Sequence, residues 1–297
     1  MTVAPAGGTL AAEIRGLDLR SIGDREFAAI HRAWLDHLVL LFRGQQLSDQ
    51  ELIAFSRRFG ELDWAPVQET GRRFVEGHPE IYVVSNVIEN GVPIGSLGAG
   101  EAVWHTDMSY LEMPPKASML YALEAPAHGG NTYFCNMYRA YECLPETLRS
   151  RIGGLRLKHD ATYNSGGYVR QGLEAVDDPM LSPGVYHPLV TRHPETGRRA
   201  LYLGRRRNAY VAGLPLAESE SLLDELWAYA TRPELVWSHE WQVGDLVLWD
   251  NRATMHRRDS FDPNSRRILH RTQIRGGQRP AAAEAAGERS REPRIQR

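Results

Sequence analysis

The sequence predicts a mixed α/β chain. Two observations carry this: many short strand-like runs bounded by turn residues, and helical periodicity confined to three places, near the start, in the middle and late. With 297 residues, 42% hydrophobic and 24% charged, the chain is long enough for one large core, and a single domain over residues 1–275 is expected.

Taken in order, Asp24 is a helix cap before Phe27, Ile30 and Trp34, which recur at helical spacing. Residues 38–42 form an apolar run suited to a buried strand. Ser48 and Glu51 make a capping box for a helix with Leu52, Phe55 and Phe59, closed by Gly60. Residues 80–87 read as a strand and residues 91–100, rich in glycine, as a loop that runs into the stretch around His105.

Residues 116–123 read as a strand, and a turn at 126–130 delivers Thr132. Two short helices follow at 138–143 and 145–152. Residues 155–189 are irregular, and the segment from Tyr163 to Tyr168 suits either a pocket wall or a surface loop. A hairpin turns around residues 195–197, a helix with Leu222, Leu223 and Leu226 spans 216–230, and strands follow at 235–237 and 244–249. Residues 276–297 lack apolar anchors and are expected to be a disordered tail.

Composition excludes several functions. A formal net charge of −2 gives no footprint for nucleic acid. Two cysteines, Cys135 and Cys143, make neither a metal spacing nor a disulfide framework. Residues 1–10 carry no leader pattern, and no run of about eighteen apolar residues occurs, so a cytoplasmic protein without a membrane span is expected.

The chemistry gathers around His105-Thr106-Asp107. On an extended strand His105 and Asp107 project to one face, with Val103 beside His105, and both can grip one metal ion. Alone, the motif reads more readily as a buried histidine next to a turn aspartate. Far along the chain, His256 offers a second imidazole, and two histidines with one carboxylate leave three positions open, the mark of non-haem Fe(II) oxygen chemistry. Arg267 and Arg271 are an even number of residues apart and share a strand face, where guanidinium groups would receive a dicarboxylate.

With these residues, with Gly129-Gly130-Asn131-Thr132 and with the stretch from Trp249 to Arg271, the chain resembles the taurine dioxygenase (TauD/TfdA) family of Fe(II)- and 2-oxoglutarate-dependent dioxygenases, from Gly16 to about Arg275. The resemblance implies a double-stranded β-helix (jelly-roll, cupin-like) core buttressed by helices. It implies His105, Asp107 and His256 as iron ligands. It pairs Thr132 with Arg271 on the distal carboxylate of 2-oxoglutarate and sets Arg267 near the other end. Substrate candidates are Arg205 in the run Arg205-Arg206-Arg207, His193, Val103 and Asn86.

The expected reaction is hydroxylation of an unactivated C–H bond of a small anionic substrate, a carboxylate or sulfonate, with Fe(II), 2-oxoglutarate and O2 and with succinate and CO2 as co-products. Related halogenating enzymes carry a small residue in place of Asp107, so its carboxylate argues against halogenation. A homo-oligomer without nucleic-acid or membrane partners is expected. Three alternatives stay open: a biosynthetic hydroxylase of a non-anionic molecule, a zinc hydrolase and a non-catalytic binding module on the same fold. A zinc enzyme would not need Thr132 with Arg271, and neither His-Glu-x-x-His nor Gly-x-Ser-x-Gly occurs.

Overall fold

A computed structural model describes residues 1–66 and 75–283. Its centre is a pair of sheets. Twelve strands build them: β1 (Thr2–Pro5), β2 (Ala12–Arg15), β3 (Val39–Phe42), β4 (Tyr82–Ser85), β5 (Ser96–Leu97), β6 (Ala102–His105), β7 (Ala117–Glu124), β8 (Thr132–Asn136), β9 (Val236–His239), β10 (Leu246–Asp250), β11 (Thr254–Arg258) and β12 (Ile268–Ile274). The larger sheet runs β1-β2-β3-β10-β7-β12-β4-β5 and the smaller β9-β8-β11-β6. This is the expected mixed α/β jelly roll.

Side-chain alternation divides the larger sheet between two cores. Leu41, Leu120, Ala122, Val247, Trp249 and Leu269 face the smaller sheet, where Phe134, Cys135 and Met255 join them. Leu40, Phe42, Met119, Tyr121, Leu246 and Leu248 face the opposite way, onto two helices. Because both faces are covered, these strands read as continuous apolar runs.

The covering helices are α1 (Asp24–His37) and α2 (Asp49–Arg57). Ile30 and Trp34 of α1 and Leu52 and Phe55 of α2 supply their buried stripes. The box at α2 forms as read: Ser48 Oγ accepts from the Glu51 N–H at 3.3 Å and the Glu51 carboxylate accepts from the Ser48 N–H at 2.8 Å. At α1 the cap is Gly23; Asp24 is already helical, and Glu26 accepts from the Gly23 N–H instead. Helices α3 (Met137–Glu142), α4 (Glu146–Ile152) and α5 (Leu216–Ala230) add Met137, Leu148, Leu222 and Leu226 to the first core.

The tail expected from Gly276 does not begin there. Ala281–Ala282 pairs with Val190–Arg192, the Ala283 N–H donates to the Val190 carbonyl at 3.1 Å, and Arg279 pairs with Glu112. Composition gave no warning, because backbone hydrogen bonds to a strand edge need no apolar side chain. Residues 284–297 lie outside the described residues. Among the described residues no helix is long and apolar enough to cross a membrane.

Candidate active site

Antiparallel pairing of β11 with β6 sets His256 directly across from His105. The two imidazole centroids are 4.1 Å apart. Asp107 is not on the strand: β6 ends at His105, and Asp107 lies in the turn that follows. The Thr106 hydroxyl fastens that turn to the Thr254 carbonyl at 3.2 Å. Asp107 Oδ1 then sits 3.6 Å from His105 Nε2 and 3.9 Å from His256 Nε2. The three ligand atoms lie within 4.8 Å of one another. Atoms that each stand about 2–2.2 Å from a shared ion are spaced about 3–4 Å apart, so a single divalent ion fits.

Protonation states suit a cation. His105 Nδ1 lies 2.8 Å from the Val103 carbonyl, which can only accept, so Nδ1 carries the proton and Nε2 keeps its lone pair. Burial, with His105 beside it, pushes His256 down to about 3, so its imidazole is neutral. Burial disfavours the Asp107 carboxylate, yet Arg271, His256 and His105 outweigh this and hold it well below the usual range. The Ser118 hydroxyl donates to Asp107 Oδ2 at 2.7 Å, Asn251 Nδ2 donates to Ser118 Oγ at 3.0 Å, and Trp249 Nε1 donates to Asn251 Oδ1 at 2.9 Å. This buried chain fixes one carboxylate oxygen and leaves Oδ1 facing the histidines.

The arginines separate. Arg271 stays near the cluster, donating to Asp107 Oδ1 at 3.2 Å and lying over the Tyr82 ring. Arg267 precedes β12, and the register of β12 against β7 slips between Ile268 and Leu269. The extra residue of that slip lies on β7, between Ala122 and Glu124, and β12 keeps its own alternation: Leu269 and Arg271 turn toward the smaller sheet, and Arg267 reaches the same side at Gly130. Arg267 is 1% exposed, and its Nε and Nη1 have no hydrogen-bond partner among the described residues. It packs near Trp241, whose Nε1 donates to Thr132 Oγ1 at 2.9 Å, and against the backbone of Gly130. Thr132 therefore shares its surroundings with Arg267, not with Arg271, which corrects the pairing that the resemblance implied.

A cavity of about 280 Å³ opens onto His105 and Asp107. Arg271, Tyr82, Leu97, Met108, Tyr110, Arg170 and Arg205 line it. Of the run Arg205-Arg206-Arg207 only Arg205 lines the cavity; Arg206 and Arg207 turn away to Glu220 and Asp177. Gly204, at φ +63°, makes the approach possible: a Cβ there would stand 2.1 Å from His159 Nδ1. Its carbonyl accepts from the Thr106 N–H at 3.0 Å, which hangs the Arg205 segment beside Asp107.

Three substrate candidates are corrected. Val103 is 46% exposed and does not line the cavity. Between His256 and Arg258 the partner strand advances from His105 to Ala102, and that extra residue turns Val103 outward. His193 is buried elsewhere, paired with Asp250 at 3.0 Å and accepting from the backbone of Glu195 and Thr196. Asn86 is a clamp: its side chain donates to the carbonyls of Pro263 and Ser265 and accepts from the Arg267 N–H at 3.0 Å.

Sequence reading missed Ser118, Asn251, Trp241, Tyr110 and Arg170. Tyr110 closes the quoted stretch around His105, and Arg170 follows the polar segment 163–168 that was weighed as a pocket wall. Ser118 and Trp241 carried no motif.

A jelly roll with two histidines and a carboxylate on a cavity, beside a buried guanidinium, defines the class of non-haem iron oxygenases. The family described as "Taurine catabolism dioxygenase TauD, TfdA family" matches residues 2–273, and the chain belongs to it. It is a 2-oxoglutarate-dependent non-haem iron dioxygenase that uses Fe(II), 2-oxoglutarate and O2 and acts on a small molecule.

Among its relatives, the alpha-ketoglutarate-dependent 2,4-dichlorophenoxyacetate dioxygenase of Cupriavidus pinatubonensis is 38% identical over 275 residues, covering 90% of this chain and 95% of that protein. Pentalenolactone F synthase of Streptomyces avermitilis is 36% identical, covering 89% and 90%. The crystal structure of AAD-2 in complex with Mn(II) and N-oxalylglycine superposes with a TM-score of 0.78 at 29% identity, covering 94% of this chain and all of that one, 100%.

Proposed function

We propose that the protein hydroxylates an unactivated C–H bond of a small anionic molecule at the cavity lined by His105 and Asp107, with His256 paired across from His105. These three side chains would hold Fe(II). Arg267 and Thr132 would receive the distal carboxylate of 2-oxoglutarate, and Arg271 the carboxylate nearer the metal. The observation that carries this is a buried guanidinium, two of whose nitrogens have no partner among the described residues, in the same jelly roll as a compact His-Asp-His cluster. An uncompensated buried cation is costly, so the fit is to an anion that completes it.

With its cofactors bound, the centre supplies the oxidation of a C–H bond coupled to release of succinate and CO2. The chain's own residues prepare it. Ser118 and Asn251 lock Oδ2 of Asp107, which leaves Oδ1 as the carboxylate oxygen that would hold a metal. Val103 fixes the tautomer of His105. Phe134 and Trp249 pack on His256 and keep water from its far side.

Fe(II) and 2-oxoglutarate added without oxygen are expected to give a weak visible charge-transfer band, lost in Asp107→Ala. Its absence from folded, iron-loaded protein overturns the reading. A second reading, a biosynthetic hydroxylase of a neutral molecule, draws on Leu97, Met108 and Val169 in the cavity wall and on the similarity to pentalenolactone F synthase. Substrate-dependent succinate release across acids, sulfonates and uncharged compounds separates the two. A cytoplasmic homo-oligomer without nucleic-acid or membrane partners belongs to the same reading, and light scattering and cell fractionation test it.

A further inference from the structure

We propose that Arg170 and Arg205 together form the receptor for the substrate's anionic group, with the ring of Tyr110 as its floor. The inference deepens the proposed function and rests on that reading of the iron centre. Arg170 was not anticipated, and its surroundings are unusual for a surface-loop arginine. Its guanidinium carbon stands 4.0 Å over the Tyr110 ring centroid, and it makes no ion pair or side-chain hydrogen bond among the described residues. Its Nε is buried.

Arg205 is fixed more firmly. Nη2 donates to the Asp160 carbonyl at 3.1 Å and reaches the Asp160 carboxylate at 3.3 Å, while its Nε is also buried without a partner. Of the two cations on this wall, only Arg205 has an ion pair among the described residues, with Asp160. Burial, and then Arg170 nearby, push the Arg205 guanidinium down to about 10. Two cations with a single ion pair between them, on the wall of a partly closed cavity, leave a net positive charge that a bound oxyanion would balance.

Both segments are tied to the centre. The Val103 N–H donates to the Ser165 carbonyl at 3.0 Å, the Arg170 N–H donates to the Thr162 carbonyl at 2.8 Å, and Tyr163 bridges to Val169. Gly204 hangs Arg205 from Thr106. The anion would sit on this wall, and Leu97, Met108 and Val169 would face the apolar body of the same molecule. The recognised chemistry is an oxyanion on an apolar stem, whether carboxylate, sulfonate or sulfate ester. Planar guanidinium forks serve all of these.

The test is calorimetric binding to the iron-loaded holoprotein with 2-oxoglutarate under anaerobic conditions. The probes are 2,4-dichlorophenoxyacetate and its methyl ester, hexyl sulfate and hexanol, and inorganic sulfate. Wild-type protein is expected to favour each anion over its uncharged partner. Arg170→Gln should weaken the anions about 10- to 100-fold and leave the ester and alcohol unaltered. Arg170→Lys should recover part of the loss, which separates a charge effect from damage to the loop. Whichever of the carboxylate and sulfate arms binds more tightly identifies the oxyanion class.

Equal affinity for acid and ester in the wild type, or anion binding untouched by Arg170→Gln, overturns the receptor while 2-oxoglutarate still binds. Failure of the wild type to bind 2-oxoglutarate overturns the reading of the centre, and the receptor falls with it.

Discussion

Replacing Arg267 by methionine should make the protein more stable and less capable at once. The guanidinium is fully buried with two nitrogens unpartnered, and burial, with Arg258 nearby, drives it well below its usual range. Exchanging buried ionic groups for packed apolar ones of similar volume is often stabilising by about 1–4 kcal/mol. Against this stands the loss of contacts with Trp241 and Phe261, whose ring centroids are 5.9 and 5.8 Å from the guanidinium carbon. Such contacts are worth about 0.5–2 kcal/mol in total. The net gain is about 1–2 kcal/mol, or a rise of roughly 1.5–3 °C in melting temperature for a chain of this size. 2-Oxoglutarate at a hundredfold excess over its Kd should add about 2.7 kcal/mol to the wild type and nothing to the variant. Thermal unfolding without and with 2-oxoglutarate should therefore reverse the order of the two proteins. A variant that melts lower than wild type without ligand, or that is stabilised by 2-oxoglutarate as wild type is, would refute the account of Arg267 as an uncompensated receptor.

Ser118→Ala removes the donor to Asp107 Oδ2 and strands Asn251 Nδ2, so metal affinity measured by chelator competition should fall about 10- to 100-fold with the fold intact by circular dichroism. Asn86→Ala should weaken 2-oxoglutarate, because it frees the backbone of Arg267, without changing the binding of the 2,4-dichlorophenoxyacetate probe; a change in the probe alone would restore Asn86 to the substrate wall. Val103→Ala should alter neither. The metal-free protein should lose stability on acidification from about pH 6.5, the usual histidine range. Burial depresses His159 and His239 in the folded state, so the unfolded chain takes up protons first and folding weakens as pH falls, by at most about 1.4 kcal/mol per unit for each group. Urea titrations between pH 7 and 5 measure this, and His159→Phe should flatten the slope.

Much of this was legible because it is local. The capping box at Ser48 and the apolar stripe of α5 depend on neighbours in sequence, and the helix spans the anticipated residues. His105 and His256 were legible for another reason: with Asp107 they match the ligand pattern of the family that the chain resembles. Trp241 and Ser118 were illegible because their meaning lies in partners 109 and 11 residues away that no pattern links to them. The strand at 281–282 was hidden likewise, since an edge accepts any backbone that can pair.

The misplacement of Val103 has a physical cause that residue spacing does not carry. Period-two alternation holds only while the ladder advances one residue for one, and Val103 falls at a register slip. A regular β6 would present Val103 on the face of His105 and leave an apolar side chain at the mouth of the cavity. The slip sends Val103 to solvent instead. Strand β12 shows the opposite case: its alternation holds, so Arg271 stays by the metal cluster while Arg267, four residues back on the same side, reaches the surroundings of Thr132. A ligand with a charge at each end needs two cations spaced along one face, and an unbroken alternation supplies them.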